Sequence, residues 1–234
     1  MKKVVIHPDY GFCSDFIERL PEAFHREGKT IFKERNEVKL FQQQGLEFVV
    51  KSFKIPHIIN KVVYAHFRPS KAKRSYANAL LLLEKAIDTP HHVAYIEVRR
   101  KGLLYESYYV SEKSPFNREF REICHSPATE EMKSVLVDFA VFAASMHDKH
   151  VFHKDFTPGN ILFGGKDNHY NFQLVDVNRM TFCPVNMKMG CKHFRSLYIT
   201  DDQFVIIARH YARARGFDPD CCEKLVLKYR LLPK

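Results

Sequence analysis

No stretch of the 234-residue sequence approaches the apolar length needed to span a membrane. The amino terminus has only Val4 to Ile6 between its two lysines and His7-Pro8, too short for a secretory signal core. The six cysteines, at positions 13, 124, 183, 191, 221 and 222, form no C-x-x-C pair, and no His-rich tract lies near them. A thiolate metal site is therefore not expected, and the thiols read as reduced ones in a cytosolic protein. No polybasic block and no aromatic-basic motif occurs, which argues against a nucleic-acid module. There is also no G-x-G-x-x-G, so any loop that covers a phosphate must work without glycines that let backbone amides approach it.

The content that is present is globular. Hydrophobic residues make up 45% of the chain, with 20 Phe and 11 Tyr, enough for one large domain or two lobes. The net charge of +10 is uneven: residues 1–113 carry 20 Lys and Arg against 13 Asp and Glu, whereas 114–234 carry 17 against 14. The basic first half is either a footprint for phosphates, on a nucleotide or an acidic lipid surface, or a solvated soluble surface.

The stretch Val151 to Phe163 carries the chemistry. It sets His153, Asp155 and Asn160 at H-x-D-x-x-x-x-N between apolar flanks, the spacing of a kinase catalytic loop. Phosphoryl transfer needs an acceptor for the attacking hydroxyl's proton, which suits Asp155, and oxygen ligands for magnesium, which suits the neutral amide of Asn160. His153 braces the loop, and Thr157-Pro158-Gly159 supplies the turn that aims Asn160. Downstream, Ile161–Phe163 and Phe172–Asp176 flank a Gly164-Gly165 turn and read as a hairpin. Asp176 at its end returns to Asn160 as a second oxygen ligand for the metal.

The remaining segments supply two lobes. Residues 30–35, 38–42 and 46–53 read as short antiparallel strands, with Arg35, Asn36 and Lys39 available to face phosphates in place of glycines. Val49-Val50-Lys51 places a lysine on a strand whose other face is buried. A helix is expected from Ser70 to about Ile87, with Ala72, Tyr76, Ala79, Leu80, Leu83 and Ile87 on one face. The cluster Lys71, Lys73 and Arg74 opposes the dipole of its first turn, so it either meets an anion or is solvated. Residues 92–98 and 103–112 form a hairpin, and Tyr109, Val110 and Glu112 lie where a crossover strand would offer backbone groups to adenine. A long helix over 127–148 buries Met132, Val135, Leu136, Phe139, Phe142, Ala143 and Met146, and another follows over 201–216; residues 225–232 end the fold. No A-P-E triplet occurs, so the last lobe is smaller than that of a protein kinase. The fold class is thus α+β: residues 1–113 form a nucleotide-covering lobe of a small antiparallel sheet plus one helix. Residues 114–234 form a reduced, mainly helical lobe with the catalytic loop, metal site and acceptor site.

Together Val49-Val50-Lys51, His153-Lys154-Asp155, Pro158-Gly159-Asn160 and Asp176 resemble the protein-kinase-like superfamily. The short second lobe, the missing glycine loop and Lys71 to Tyr76 ahead of Asp88-Thr89-Pro90 resemble the Kdo/WaaP lipopolysaccharide-core kinases, over about residues 30–215. That resemblance implies transfer of the ATP γ-phosphoryl group to an inner-core sugar hydroxyl, Kdo or heptose, at the cytoplasmic face of the inner membrane. It implies that Lys51 holds the α and β phosphates, that His153, Lys154 and Asp155 form the catalytic group with Asp155 as base, and that Asn160 and Asp176 bind Mg2+. Asp176 is followed by Val177-Asn178 where protein kinases have Phe-Gly, and the helix over 70–87 offers no inward glutamate to Lys51. The absent glutamate and the absent glycine loop leave open a nucleotide-binding scaffold without turnover, and because other acceptors present the same nucleophile, a kinase for another small-molecule or protein hydroxyl stays open as well.

Overall fold

Alternation of side chains across the strand Leu46–Phe53 (β4) sets the plan of the first half: Phe48 and Val50 enter one buried cluster and Phe53 a second. The computed structural model describes residues 1–34, 36–53, 69–124 and 129–232. It divides into two compact units, one of residues 1–83 and 90–113, the other of 84–89 and 114–234.

The first unit is a six-stranded antiparallel sheet. Its strands are Lys2–Ile6 (β1), Lys29–Lys33 (β2), Asn36–Gln43 (β3), β4, His92–Arg100 (β5) and Leu103–Glu112 (β6), in the order β1-β5-β6-β4-β3-β2. The larger cluster holds Phe16, Ile17 and Leu20 of helix Ser14–Ala23 (α1) together with Phe41, Phe48, Ile96, Tyr108 and Val110 of the sheet. The smaller cluster joins Ala72 and Tyr76 of helix Lys71–Glu84 (α2) to Phe53, Tyr95 and Tyr109. The expected sheet is therefore present with one strand more, β1, and one helix more, α1. Phe16, Ile17, Leu20 and Phe24 have helical spacing, but Pro21 interrupts it; in the last turn of α1 that proline removes one amide without preventing the helix.

Helix α2 ends at Glu84, and Ser70 Oγ accepts from Lys73 N at 3.0 Å, as expected of a cap. Its fully buried residues are Ala72, Ser75, Ala79 and Leu82, whereas Leu80 is exposed. The buried stripe is thus turned from the expected one.

The second unit is built around helix Glu130–Asp148 (α3), whose Thr129 cap accepts from Met132 N at 3.1 Å. Phe139 of α3 is ringed by Phe120, Phe156 and Phe172 at centroid distances of 4.3, 5.7 and 5.5 Å. Two small sheets lie here. Arg118–Glu119 (β7), Ile161–Lys166 (β9) and His169–Leu174 (β10) form one, in the order β10-β9-β7, while Val151–His153 (β8) pairs with Met180–Phe182 (β11). Helices Met187–His193 (α4), Asp201–Arg215 (α5) and Pro219–Arg230 (α6) complete the unit. Residues 84–89 belong here and not with the first unit: Leu174 N donates to Asp88 O at 3.0 Å and Thr89 Oγ1 to Leu174 O at 2.7 Å.

Candidate active site

Strand β8 carries His153 into the loop as a fully buried ring. Its Nε2 faces the Val175 carbonyl at 3.2 Å and can only donate there; its Nδ1 accepts from Asp155 N at 3.1 Å. Both bonds are made by one neutral tautomer, and burial lowers the imidazole pKa accordingly. His153 is closed off from any substrate, so it is not a member of the catalytic group; it fixes the backbone on which Asp155 rides. Lys154 is exposed, and its backbone amide donates to Arg179 O at 2.9 Å.

Asp155 is partly exposed and lies 3.9 Å from Arg179 Nη1. Its carbonyl accepts twice, from Thr157 N at 2.8 Å and from Asn160 Nδ2 at 2.8 Å. The second bond orients the Asn160 amide, turning its Oδ1 away from the loop carbonyl. Asn160 O then accepts from Val175 N at 3.0 Å, and Leu174 pairs with Ile161 across the β9–β10 ladder. Asp155, Asn160 and the strand leading to Asp176 are thereby linked bond by bond. A Cβ on Gly159 would meet the Arg121 guanidinium, so a side chain there requires that exposed arginine to swing aside.

Asp176 has left-handed backbone angles, φ 55° and ψ 44°, an uncommon state for a non-glycine residue and one that gathers at functional sites. Asn178 Nδ2 donates to its Oδ1. Asn178 thus braces the carboxylate. Asp176 and Asn160 are hard oxygen donors of the kind that hold magnesium together with substrate phosphates, and the donor set fits that ion. Among the described residues no cluster of three or more His, Cys, Asp or Glu could hold a metal by itself.

In the first unit, Lys51 and Lys71 bring their Nζ atoms to 5.4 and 5.9 Å from the same Phe53 ring. Strand β4 therefore presents Lys51 on the face that carries the start of α2. Glu84, the only carboxylate of that helix, is exposed at its last position. Two expectations are corrected here. Lys39 does not face a phosphate, because its buried Nζ donates to Phe24 O at 2.6 Å and Glu27 O at 3.1 Å, closing the end of α1. Tyr109 and Val110 offer no free edge, because β6 is an interior strand: Tyr109 pairs with Lys51 and Tyr95, and Val110 with Val50 and Ala94. Only the strand end remains, where Glu112 N donates to His91 O at 2.9 Å and its carboxylate accepts from Tyr10 at 2.8 Å. Asn36 opens β3, paired with Phe53; Arg35 lies outside the described residues.

Sequence reasoning did not find His147 and His193, whose buried rings lead to the loop from α3 and α4. Their hydrogen-bond partners lie 40 and more positions apart, so no local spacing signals them.

The profile of the Lipopolysaccharide kinase (Kdo/WaaP) family matches residues 21–205. Among curated proteins, none matches. Of solved structures, WaaP in complex with acyl carrier protein is similar at 15% identity and a TM-score of 0.66, over 97% of this chain and 98% of that one. APH(2″)-IIa, in a ternary complex with streptomycin and ATP, is similar at 12% identity and a TM-score of 0.54, over 91% of this chain and 86% of that one. At such identities these likenesses speak for the fold.

Proposed function

The chain belongs to the lipopolysaccharide kinase (Kdo/WaaP) family, and on that premise we propose that it moves the γ-phosphoryl group of ATP to a hydroxyl of Kdo or heptose in the lipopolysaccharide inner core. Membership makes it a phosphotransferase with a hydroxyl acceptor that acts on the lipopolysaccharide core and uses ATP. The observation that carries the reading of the site is the bonded chain Asp155–Asn160–Val175, which joins a base to two oxygen ligands.

Asp155, partly exposed beside Arg179, takes the proton of the acceptor hydroxyl as that oxygen bonds to the γ-phosphorus. The bond to the bridging oxygen breaks at the same time and ADP departs. Lys154, exposed beside the base, meets the anionic core sugar. Lys51, with Lys71 near it, holds the nucleotide phosphates, Asn36 covers them, and the strand end at Glu112 lies toward adenine. Magnesium, when bound, spreads the charge of the β and γ phosphates; Asn160 Oδ1 and Asp176 would hold it.

No helix among the described residues is long and apolar enough to cross a membrane. The excess of basic residues in 1–113 suits electrostatic contact with the anionic inner face of the inner membrane. A magnesium-dependent ATP assay with purified inner core, an aminoglycoside and a protein as rival acceptors tests the reading. Phosphate is expected on the core sugar; phosphate on a rival alone would transfer the assignment to that hydroxyl.

A further inference from the structure

A line of buried polar groups leads from α5 to the catalytic loop. Arg215 Nη1 donates to Tyr211 Oη at 2.8 Å, Tyr211 Oη lies 2.8 Å from His147 Nδ1, His147 Nε2 lies 2.9 Å from His193 Nδ1, and His193 Nε2 lies 2.7 Å from the His153 carbonyl. Tyr211 and His147 are fully buried, and His193 is 6% exposed. The outer end is tied twice, by Arg215 Nε to Asp148 at 2.6 Å and Arg215 Nη2 to Val185 O at 2.8 Å.

The last bond fixes the direction of all the others. A carbonyl only accepts, so His193 carries its proton on Nε2; a neutral ring has one proton, so its Nδ1 accepts. His147 must then donate from Nε2 and accept at Nδ1, and Tyr211 must donate its hydroxyl proton to that nitrogen. The tyrosine oxygen is left to accept from Arg215, as it does. Burial keeps both rings neutral, which this arrangement requires. Reversing any one bond sets two donors or two lone pairs against each other.

The chain ends on the loop itself. His193 is stacked between Phe152, at 4.0 Å, and Phe156, at 4.2 Å, the residues on either side of His153 to Asp155. The carbonyl it holds belongs to His153, whose ring receives the Asp155 amide. Helix α4 approaches closely because its residue 190 is glycine: a Cβ there would collide with the Tyr211 hydroxyl. A core position needs only volume, and a buried polar chain costs desolvation that apolar side chains avoid. Four polar groups stand along one line that ends at the His153 carbonyl, two residues before the base.

We propose that Arg215, Tyr211, His147 and His193 form a one-directional hydrogen-bonded strut that holds the His153 carbonyl and so sets the position of Asp155. They are positioning residues, since none reaches a substrate. The proposal rests on Asp155 being the base, and the experiment separates the two. In steady-state kinetics with ATP and core acceptor, His193→Leu is expected to lower kcat by about 100-fold, the size of a small misplacement of a catalytic group. KM for ATP should change less than about twofold, because the loss is confined to the transition state. His193→Gln, whose amide nitrogen reaches the same carbonyl, should recover kcat to within about tenfold of the parent. Asp155→Asn is assayed alongside. If it leaves turnover intact, the base assignment fails; if it abolishes turnover while His193→Leu keeps the parental kcat, the strut alone is refuted. Should His193→Leu not fold, 15N NMR of the parent protein decides: both His147 and His193 are expected as Nε2–H tautomers, and Nδ1–H on either overturns the proposal.

Discussion

At the scale of the residue, Asp176 and the buried histidines carry consequences that can be measured. Asp176 combines a left-handed backbone with a carboxylate braced by Asn178. Asp176→Asn keeps the shape and removes the charge, so magnesium-dependent nucleotide binding should weaken by at least about tenfold in titration calorimetry, whereas binding without magnesium should change little. An unchanged magnesium dependence would remove Asp176 from the metal site. Burial lowers His193 to about 3 and His92 to about 4, the latter with both ring nitrogens unbonded among the described residues. In the unfolded chain these imidazoles take a proton near the ordinary 6.5, so between that pH and the folded values only the unfolded state binds it. Their stabilising contribution is complete above about 6.5 and falls as pH drops toward 4. The urea midpoint should decrease steadily from pH 7 to 4.5; a flat profile would contradict neutral burial of both rings. The link between Asp155 and Asn160 was legible because the two lie within a few positions on one loop. The strut was not, because its members meet only after three helices have packed.

At the scale of the element, the helix α2 is where expectation and structure differ most usefully. Helical spacing identified the helix, but the residues that point inward are Ala72, Ser75, Ala79 and Leu82, none of them a carboxylate. Sequence periodicity gives the existence of a stripe more surely than its phase, because small and large apolar residues alternate around this helix. With Glu84 exposed at the end of α2, Glu84→Gln should change kcat less than about threefold, under about 0.7 kcal/mol of transition-state stabilisation, while Lys51→Met should be severe. Equal damage from both, in folded protein, would mean that Glu84 orients Lys51. Helix α1 and strand β1 were missed for different reasons. Pro21 hides a helix whose face is otherwise regular, and β1 is a short edge strand whose pairing with β5 joins Lys2 to Val98. Helix α4 has only seven residues, below the length at which periodicity is informative.

At the scale of the whole molecule, charge is uneven along the chain: the first 113 residues hold an excess of seven basic groups, and the rest an excess of three. If that excess serves an anionic surface, binding to acidic vesicles should fall steeply as salt rises toward about 0.15 M, where the Debye length is about 8 Å, and neutral vesicles should bind poorly. Salt-independent binding, or none, would leave the charge as a solvating one. The central claim, that Asp155 serves phosphate transfer to a core sugar, is tested most directly by mass analysis of lipopolysaccharide inner core incubated with ATP and magnesium and either the parent protein or Asp155→Asn. The account predicts one added phosphate on Kdo or heptose with the parent, and a rate lower by about 10² to 10⁴ with the variant, whose ATP affinity is kept. Equal phosphorylation by both proteins would contradict it.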